Sequence, residues 1–252
     1  MADQGRAGQS KYQRIAEELR AAVQAGTYGP GDRLPGENEL MAKHGVARMT
    51  ARQAVGVLQS EGIAEARKGA GVFVRDFRPL RRRSVSRLAQ EQWGAGRSVW
   101  EAEAEGRELV VDQVAVGEEA ASGLIARVLG IEEGAAVCVR SRRFVLDGKP
   151  VLLARSSLPA ALVAGTAITQ EDTGPGGTYA RLAEIGQKPV RFREELRCRM
   201  PSAAEAEQLE LAMGTPVVLV VRSAFAADGR AVEVNEMTLD SASYVLEYDF
   251  PA

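Results

Sequence analysis

The stretch HGVARMTARQAVGVLQSEG, from His44 to Gly62, carries small and aliphatic residues at the spacing of one helix face. They recur at i, i+3, i+4 and i+7, and they are Ala51, Ala54, Val55 and Leu58. Such a stripe predicts an amphipathic helix packed on a core. The opposite face carries Met49, Arg52, Gln53 and Gly56, with Arg48 and Thr50 in the first turn. A face of this kind suits either the edge of a base pair or plain solvent.

Two shorter helical segments precede this one. The first begins at Ser10, where SKYQ has the spacing of a capping box, and it ends at Gly26. The second, ENELMAKH, is closed by Gly45, and the tight turn HGVA leads on to the third helix. Two helices joined in this way form a helix-turn-helix, whose second helix can enter the DNA major groove. The next segment, GIAEARKGAGVFVRD, predicts two strands joined at KGAG, which completes the order of a winged helix.

Charge is distributed unevenly along the 252 residues. Residues 1–83 hold 15 Lys and Arg against 9 Asp and Glu, a net charge of +6. The remainder holds 17 basic and 25 acidic residues, a net charge of -8. A basic N-terminal part on an acidic body indicates a polyanionic partner for the N-terminal part alone.

Several classes of protein are disfavoured by composition. No apolar run approaches the ~20 residues of a membrane span, and the first residues lack a signal-peptide core, so we expect a cytoplasmic protein without membrane contact. The single histidine, His44, argues against Ser-His triads and most zinc sites. Cys138 and Cys198 each lie in a strand-like run, which predicts two buried thiols. We therefore expect neither a metal nor a cofactor.

The N-terminal motifs carry a family resemblance. DRLPGENELMAKHGVARMTARQAV, followed by EGIAEARKGAGVFV, resembles the DNA-binding domain of the GntR family of bacterial regulators over residues 9–77. The resemblance implies base and phosphate contacts by residues of the third helix and the wing: Arg48, Met49, Thr50, Arg52, Gln53, Lys68 and Gly69. The chain departs from the family at Asn38, where an arginine is frequent, and at Ala47, where Ser or Thr is frequent. Asn38 could pair an adenine edge or be a plain exposed residue, and Ala47 lacks a capping hydroxyl.

Residues 78–96 read as an interdomain connector, basic at first and then polar. Its three consecutive arginines, Arg81, Arg82 and Arg83, could contact phosphate, although a solvated charge run is the interpretation that the pattern favours.

An internal repeat dominates the C-terminal part. LGIEEGAAVCVRSRRFVLDGKPV, residues 129–151, parallels LAMGTPVVLVVRSAFAADGRAV, residues 211–232, and each follows a helix-like stretch. Residues 191–200 alternate as a half-buried strand, with Phe192, Leu196, Cys198 and Met200 inward and only Glu194 out of place. Two helix-plus-hairpin halves predict a pseudo-symmetric α+β domain around one antiparallel sheet, with a pocket between the halves.

This layout resembles the UTRA effector-binding domain of the HutC subfamily, whose fold is like chorismate lyase, over residues 97–248. The motifs are RRFVLDGKPVLLARSSLP, GTYARLAEIGQKPV and DGRAVEVNEMTL. The resemblance implies that Arg142, Tyr179 and Glu233 line the effector pocket. Members that bind phosphorylated sugars carry a second arginine where this chain has Phe144, a serine at Gly177, and a Tyr-Arg pair at Leu239 and Asp240. These departures predict a less anionic, more apolar effector, or none; Arg142 and Glu233 could instead only pair with each other.

Three functions remain open at this point. The first is a homodimeric DNA-binding repressor, released from a pseudo-palindromic operator by a small molecule, since a dimer matches two-fold operators. The second is a ligand-independent dimeric repressor of the plasmid-transfer type. The third is an enzyme of chorismate lyase-like fold, although no nucleophile and base are paired by their spacing.

Overall fold

The computed structural model describes residues 10–67, 69–76, 79–83, 100, 104 and 107–249. The chain forms two compact units, one of residues 1–78 with 211–215 and one of residues 79–210 with 216–252. Each unit has its own hydrophobic core.

The N-terminal unit has the predicted order of three helices and a hairpin. The helices are α1 (Lys11–Gln24), α2 (Glu37–His44) and α3 (Arg48–Ser60), followed by the antiparallel strands β1 (Ala64–Arg67) and β2 (Gly71–Val74). Ser10 and Gln13 form the predicted capping box, and Gly45 ends α2 in the left-handed conformation at φ 59°. The predicted stripe of α3 is 0–6% exposed and packs against α1 and α2. The winged helix-turn-helix is therefore confirmed.

The C-terminal unit is built on a six-stranded antiparallel sheet. Its strands are β4 (Leu109–Ala120), β5 (Ala136–Leu146), β6 (Lys149–Pro159), β7 (Arg191–Arg199), β8 (Val217–Phe225) and β9 (Ala231–Asp240). They lie in the order β4-β5-β6-β9-β8-β7 across the sheet. The helices are α4 (Gly123–Leu129), α5 (Ala160–Val163), α6 (Gly177–Glu184) and α7 (Ala203–Gln208), with a 3₁₀ turn at Ala167–Thr169.

The repeat folds into two halves of the same order, β4-α4-β5-β6 and β7-α7-β8-β9. The halves meet at the centre of the sheet, where β6 pairs with β9. Each half contributes one outer strand and one hairpin, so the strand order reads the same from either edge. The prediction of a pseudo-symmetric α+β domain around one antiparallel sheet is confirmed.

A second, two-stranded sheet lies in the same unit. Strand β3 (Leu80–Arg83) pairs in parallel with the last strand, β10 (Tyr244–Glu247). Arg81 and Arg83 are exposed and form ion pairs with Glu247, whereas Arg82 is 1% exposed. The interpretation of residues 81–83 as a solvated charge run is therefore wrong for Arg82. Residues 84–96 of the predicted connector lie outside the described residues.

Strand β7 corrects a second expectation. It lies at the edge of the sheet, and of its predicted inner face only Phe192 is half-buried, while Leu196 is 38% and Met200 59% exposed. Cys138 is buried as predicted, but Cys198 is exposed, so the prediction of two buried thiols is wrong for Cys198. Glu194 is the inward residue instead, and its carboxylate lies 3.4 Å from Arg82 Nη2.

Candidate DNA-binding surface and effector cavity

Helix α3 presents an exposed polar surface opposite its buried stripe. Ala47, Arg48, Met49, Arg52 and Gln53 are exposed, Met49 to 62%, and Thr50 is half-buried. Within the described residues, the side chains of Arg52 and Gln53 make no hydrogen bond or ion pair, so both can reach a groove without first losing a protein partner. Met49 can make apolar contacts with base edges, and Arg52 and Gln53 can form hydrogen bonds with them.

The start of α3 is held to α2 by one arginine. Arg48 Nη2 donates to Asn38 Oδ1 at 3.2 Å, and Arg48 Nε lies 3.6 Å from a carboxylate oxygen of Glu37. Asn38 is exposed, but its carbonyl oxygen is engaged with Arg48, which orients its amide. Ala47 is the N-cap of α3 and supplies no side-chain hydrogen bond. The backbone N–H of Thr50 donates to the Ala47 carbonyl at 3.0 Å, so the N–H groups of Arg48 and Met49 are the ones open to a phosphate oxygen.

The wing adds a second edge to this surface. Gly69 is exposed at its tip with φ 74°, while Lys68 lies outside the described residues. The Arg67 guanidinium lies over the Phe73 ring, 4.4 Å from its centroid, which fixes its direction. Exposed Arg33 forms a bridge to β2 at Phe73 and is a further cation beside the wing that sequence reasoning missed.

A cavity of about 380 Å³ lies on one face of the C-terminal sheet, beneath the start of α6. All four residues assigned to the effector site from sequence line it, namely Arg142, Phe144, Tyr179 and Glu233. Its size lies within the usual range for a small-molecule site.

Arg140 holds the loop of residues 168–171 beside this cavity. Its Nη1 donates to the carbonyl oxygens of Ile168, at 2.5 Å, and of Gln170, and its Nη2 donates to the carbonyl of Glu171 at 2.8 Å. Arg140 is 2% exposed, and desolvation lowers its pKa. The guanidinium thus holds the loop that carries Glu171 and the following residues over the cavity.

Arg142 and Glu233 do not form an ion pair within the described residues, so the alternative in which the two only pair with each other is wrong. Arg142 Nη2 donates to Ser156 Oγ at 2.6 Å, whereas Glu233 Oε2 accepts from the Tyr179 hydroxyl at 2.8 Å. Desolvation lowers the pKa of Arg142 to about 10, with Glu233 opposing that shift and Arg140 adding to it. The cavity therefore contains a guanidinium whose positive charge is incompletely compensated.

One wall of the cavity is apolar. Phe144 is 1% exposed and packs on Trp100, with 4.4 Å between ring centroids. On the other side, the Arg222 guanidinium lies 5.6 Å from the centroid of Tyr179 and 5.7 Å from that of Trp100. The lining therefore combines aromatic surface with buried cations, which suits a ligand that has an apolar body and a polar end.

Sequence reasoning missed several residues of the cavity: Trp100, Arg140, Arg222 and Asn235. A signal for two of them was present, because Arg140 and Arg222 are the arginines of the Val-Arg-Ser motif in each repeat. Trp100 and Asn235 carried no comparable signal.

The described residues contain no group of three His, Cys, Asp or Glu side chains that could hold a metal ion. No helix in the described part of the chain is long and apolar enough to cross a membrane.

Comparison with known proteins agrees with both units. The profile of the UTRA domain matches residues 104–244, and that of the bacterial regulatory proteins of the gntR family matches residues 11–74. This chain belongs to the GntR family. A UTRA domain that follows a GntR DNA-binding domain is the architecture expected of a DNA-binding regulator in the HutC subfamily.

Relatives of this GntR-family regulator are similar over most of their length. An uncharacterized HTH-type transcriptional regulator of Streptomyces coelicolor is 30% identical over 95% of this chain and 92% of its own. The HTH-type transcriptional repressor NagR of Bacillus subtilis is 25% identical over 88% and 87%. These names are those of transcription regulators rather than enzymes.

Solved structures of the family share the fold. The crystal structure of a putative GntR-family transcriptional regulator has a TM-score of 0.65 and 27% identity, covering 97% of this chain and 98% of its own. PhnF from Mycobacterium smegmatis has a TM-score of 0.59 and 26% identity, covering 94% and 99%.

Proposed function

We propose that this GntR-family regulator is a homodimeric repressor that binds a pseudo-palindromic operator and leaves it when a small molecule binds. Residues 9–77 would form the DNA-binding domain, and residues 97–248 the effector-binding and dimerisation domain. The repressor NagR, similar over most of its length, supports repression as the mode of action. Two DNA-binding domains are needed because one recognition helix buries too little surface for tight, specific binding.

The exposed side of α3 carries the DNA-binding proposal. Arg52 and Gln53 point outward without protein partners in the described part of the chain, and Arg48, Met49 and Thr50 lie beside them. With α3 in the major groove, Arg52 and Gln53 read base edges, while the first-turn N–H groups and the wing at Lys68 and Gly69 take phosphates.

The cavity supports a small-molecule effector rather than a ligand-independent repressor. It brings Arg142, Tyr179 and Glu233 together, with Phe144 in the apolar wall. Because Phe144 stands where sugar-phosphate-binding members have a cation, the effector is less anionic and more apolar than a sugar phosphate. Tight binding of glucosamine 6-phosphate to the full-length protein would contradict this assignment.

Effector release requires two states of the protein with different affinities for the effector. A ligand changes operator affinity only to the extent that it binds one of these states more tightly. The same coupling works in reverse, so operator DNA must weaken effector binding by the same factor.

Fluorescence anisotropy tests the proposal. A duplex from upstream of the protein's own gene is compared with a scrambled duplex at fixed physiological salt, because phosphate contacts alone give salt-dependent affinity. We expect sequence-selective binding, and we expect Arg52→Ala to lose roughly 10–100-fold in affinity with folding intact. Arg127→Ala removes the same charge from an exposed position on α4 and serves as the control. Equal weak binding to both duplexes by the wild type, or unchanged binding by Arg52→Ala, would contradict the proposal.

A further inference from the structure

A row of polar side chains crosses the floor of the cavity. Arg140, Ser156, Asn235 and Arg222 face one another in register on the adjacent strands β5, β6, β9 and β8. All four are at most 2% exposed. Side chains buried so deeply in the middle of a sheet are normally apolar, or have every polar atom satisfied.

Asn235 contributes an unsatisfied buried acceptor to this row. Its Oδ1 is buried without a hydrogen-bond partner, and its side chain makes no hydrogen bond to any described residue. Ser156, beside it, accepts from Arg142, and Arg140 is committed to the loop carbonyls. A buried amide without a partner destabilises the folded protein, so its persistence in a cavity points to a ligand group that completes it.

A second unsatisfied atom faces the same space. Thr178 Oγ1 is buried without a partner in the first turn of α6, and Thr178 lines the cavity together with Asn235. Arg142 Nε is also buried without a partner. The cavity thus offers an amide at its floor and several donors, among them a hydroxyl and a guanidinium N–H, around the same volume.

The charges in the cavity limit the ligand's own charge. Arg142 attracts an anion, while the buried Glu233 carboxylate lies two residues from Asn235 on β9, on the same face of the strand. Arg140 and Arg222 also line the cavity, but so do Glu171 and Asp172, so the lining holds three cations against three carboxylates. A dianion would meet repulsion from these carboxylates, whereas a single carboxylate can be placed toward Arg142 and away from Glu233. The Trp100–Phe144 wall takes an apolar body.

We infer that the effector is a hydroxy-substituted carboxylic acid with an apolar body, whose hydroxyl binds the Asn235 amide. The carboxylate lies toward Arg142, and the apolar body packs on Trp100 and Phe144. Asn235 is then the residue that selects the effector. This inference rests on the proposed function, because it deepens the assignment of the same cavity.

Calorimetric titration of the full-length protein with three probes separates these contributions. Phenyllactate has the ring, the hydroxyl and the carboxylate, phenylpropionate lacks the hydroxyl, and phenylpropanediol lacks the carboxylate. We expect phenyllactate to bind at least about tenfold more tightly than either analogue, because a site built for a hydroxyl rejects the ligand without one.

Two variants assign the hydroxyl preference to one residue. In Asn235→Leu and Asn235→Ala, phenyllactate and phenylpropionate should bind equally. Asn235→Leu should also raise the midpoint of thermal unfolding of the unliganded protein, since it removes an unsatisfied buried amide. Thr238→Val, on the other face of β9, is the control and should keep the preference.

Operator binding without ligand distinguishes the two levels of failure. The wild type and the control variant Thr238→Val should both select the operator duplex over the scrambled one. If no probe binds, or if the hydroxyl preference survives in both Asn235 variants, the inference is overturned while operator binding stands. If the wild type itself does not select the operator, the proposed function is what fails.

Discussion

Arg140 offers the sharpest test of how the cavity is held together, through the substitution Arg140→Met. The change removes three charge-assisted hydrogen bonds to the carbonyls of Ile168, Gln170 and Glu171 while roughly keeping side-chain volume. Each such bond is worth about 1.5–3 kcal/mol. Part of that is offset, because the methionine side chain has no desolvation penalty and the carbonyls of Gln170 and Glu171, which are exposed residues, can regain water. Ile168 is buried, so its carbonyl cannot regain a hydrogen bond to water. We therefore expect the free energy of unfolding to fall by about 2–4 kcal/mol.

The assay combines urea unfolding with hydrogen exchange of the loop. Arg140→Met should lower the urea midpoint with little change in slope, and amides of residues 166–178 should exchange faster. Arg140→Lys should be intermediate, because an ammonium has three donors but not the planar fork of a guanidinium. Arg127→Met, at an exposed position, should stay within about 0.5 kcal/mol of the wild type. An Arg140→Met protein with the wild-type midpoint and unchanged loop exchange would refute the reasoning.

Two further predictions concern other parts of the chain. Hydrogen bonds from Arg199, at 2.7 Å to each oxygen, are the main reason that the pKa of Glu205 is lowered to about 2 from 4.5. This carboxylate therefore contributes up to about 3 kcal/mol above pH 4.5, which is lost as the pH falls toward 2, and urea midpoints of the wild type and Glu205→Gln should converge there. Parallel pH profiles would rule this out. Asn38→Arg removes the acceptor of Arg48. Because arginine pairs guanine, the variant should change the ratio of affinities for guanine and adenine at one operator position roughly tenfold in favour of guanine. Anisotropy with single-base variants of the operator duplex measures this ratio. An unchanged ranking of the duplexes would place Asn38 away from the base edges.

The helices of the N-terminal unit were predictable because their signals are local. The capping box at Ser10, the glycine after ENELMAKH and the stripe through α3 each lie within a few residues of the structure that they specify. Such signals do not depend on how distant parts of the chain fold.

The C-terminal sheet was predictable in its repeat but not in its edges. Alternation in residues 191–199 predicts a strand and its two faces, yet sheet order decides whether anything covers them. β7 is an edge strand, so Cys198 and Leu196 are exposed in spite of a pattern typical of a buried face. Arg82 shows the converse, since a run of three arginines does not reveal that the middle one enters the core.

Some residues of the cavity could be predicted from the sequence and others could not. Arg142, Tyr179 and Glu233 came from family motifs, and the fold brings them together although 91 residues separate the first from the last. Asn235 could not be singled out, because whether a polar side chain on a strand is satisfied depends on partners from distant strands.

The pairing of β3 with β10 has a consequence for synthesis of the protein on the ribosome. Residues 10–76 of the N-terminal unit form helices and a hairpin that pack on neighbouring segments, so they can fold once the hairpin has emerged, before residues 211–215 join the unit. The next strand, Leu80–Arg83, must wait for its partner, Tyr244–Glu247, which at about 5–20 residues per second follows roughly 10–30 s later. During that interval the basic N-terminal unit of a nascent chain is folded while the C-terminal sheet is incomplete. The N-terminal unit can then meet nucleic acid before the effector-binding domain that would regulate it has formed.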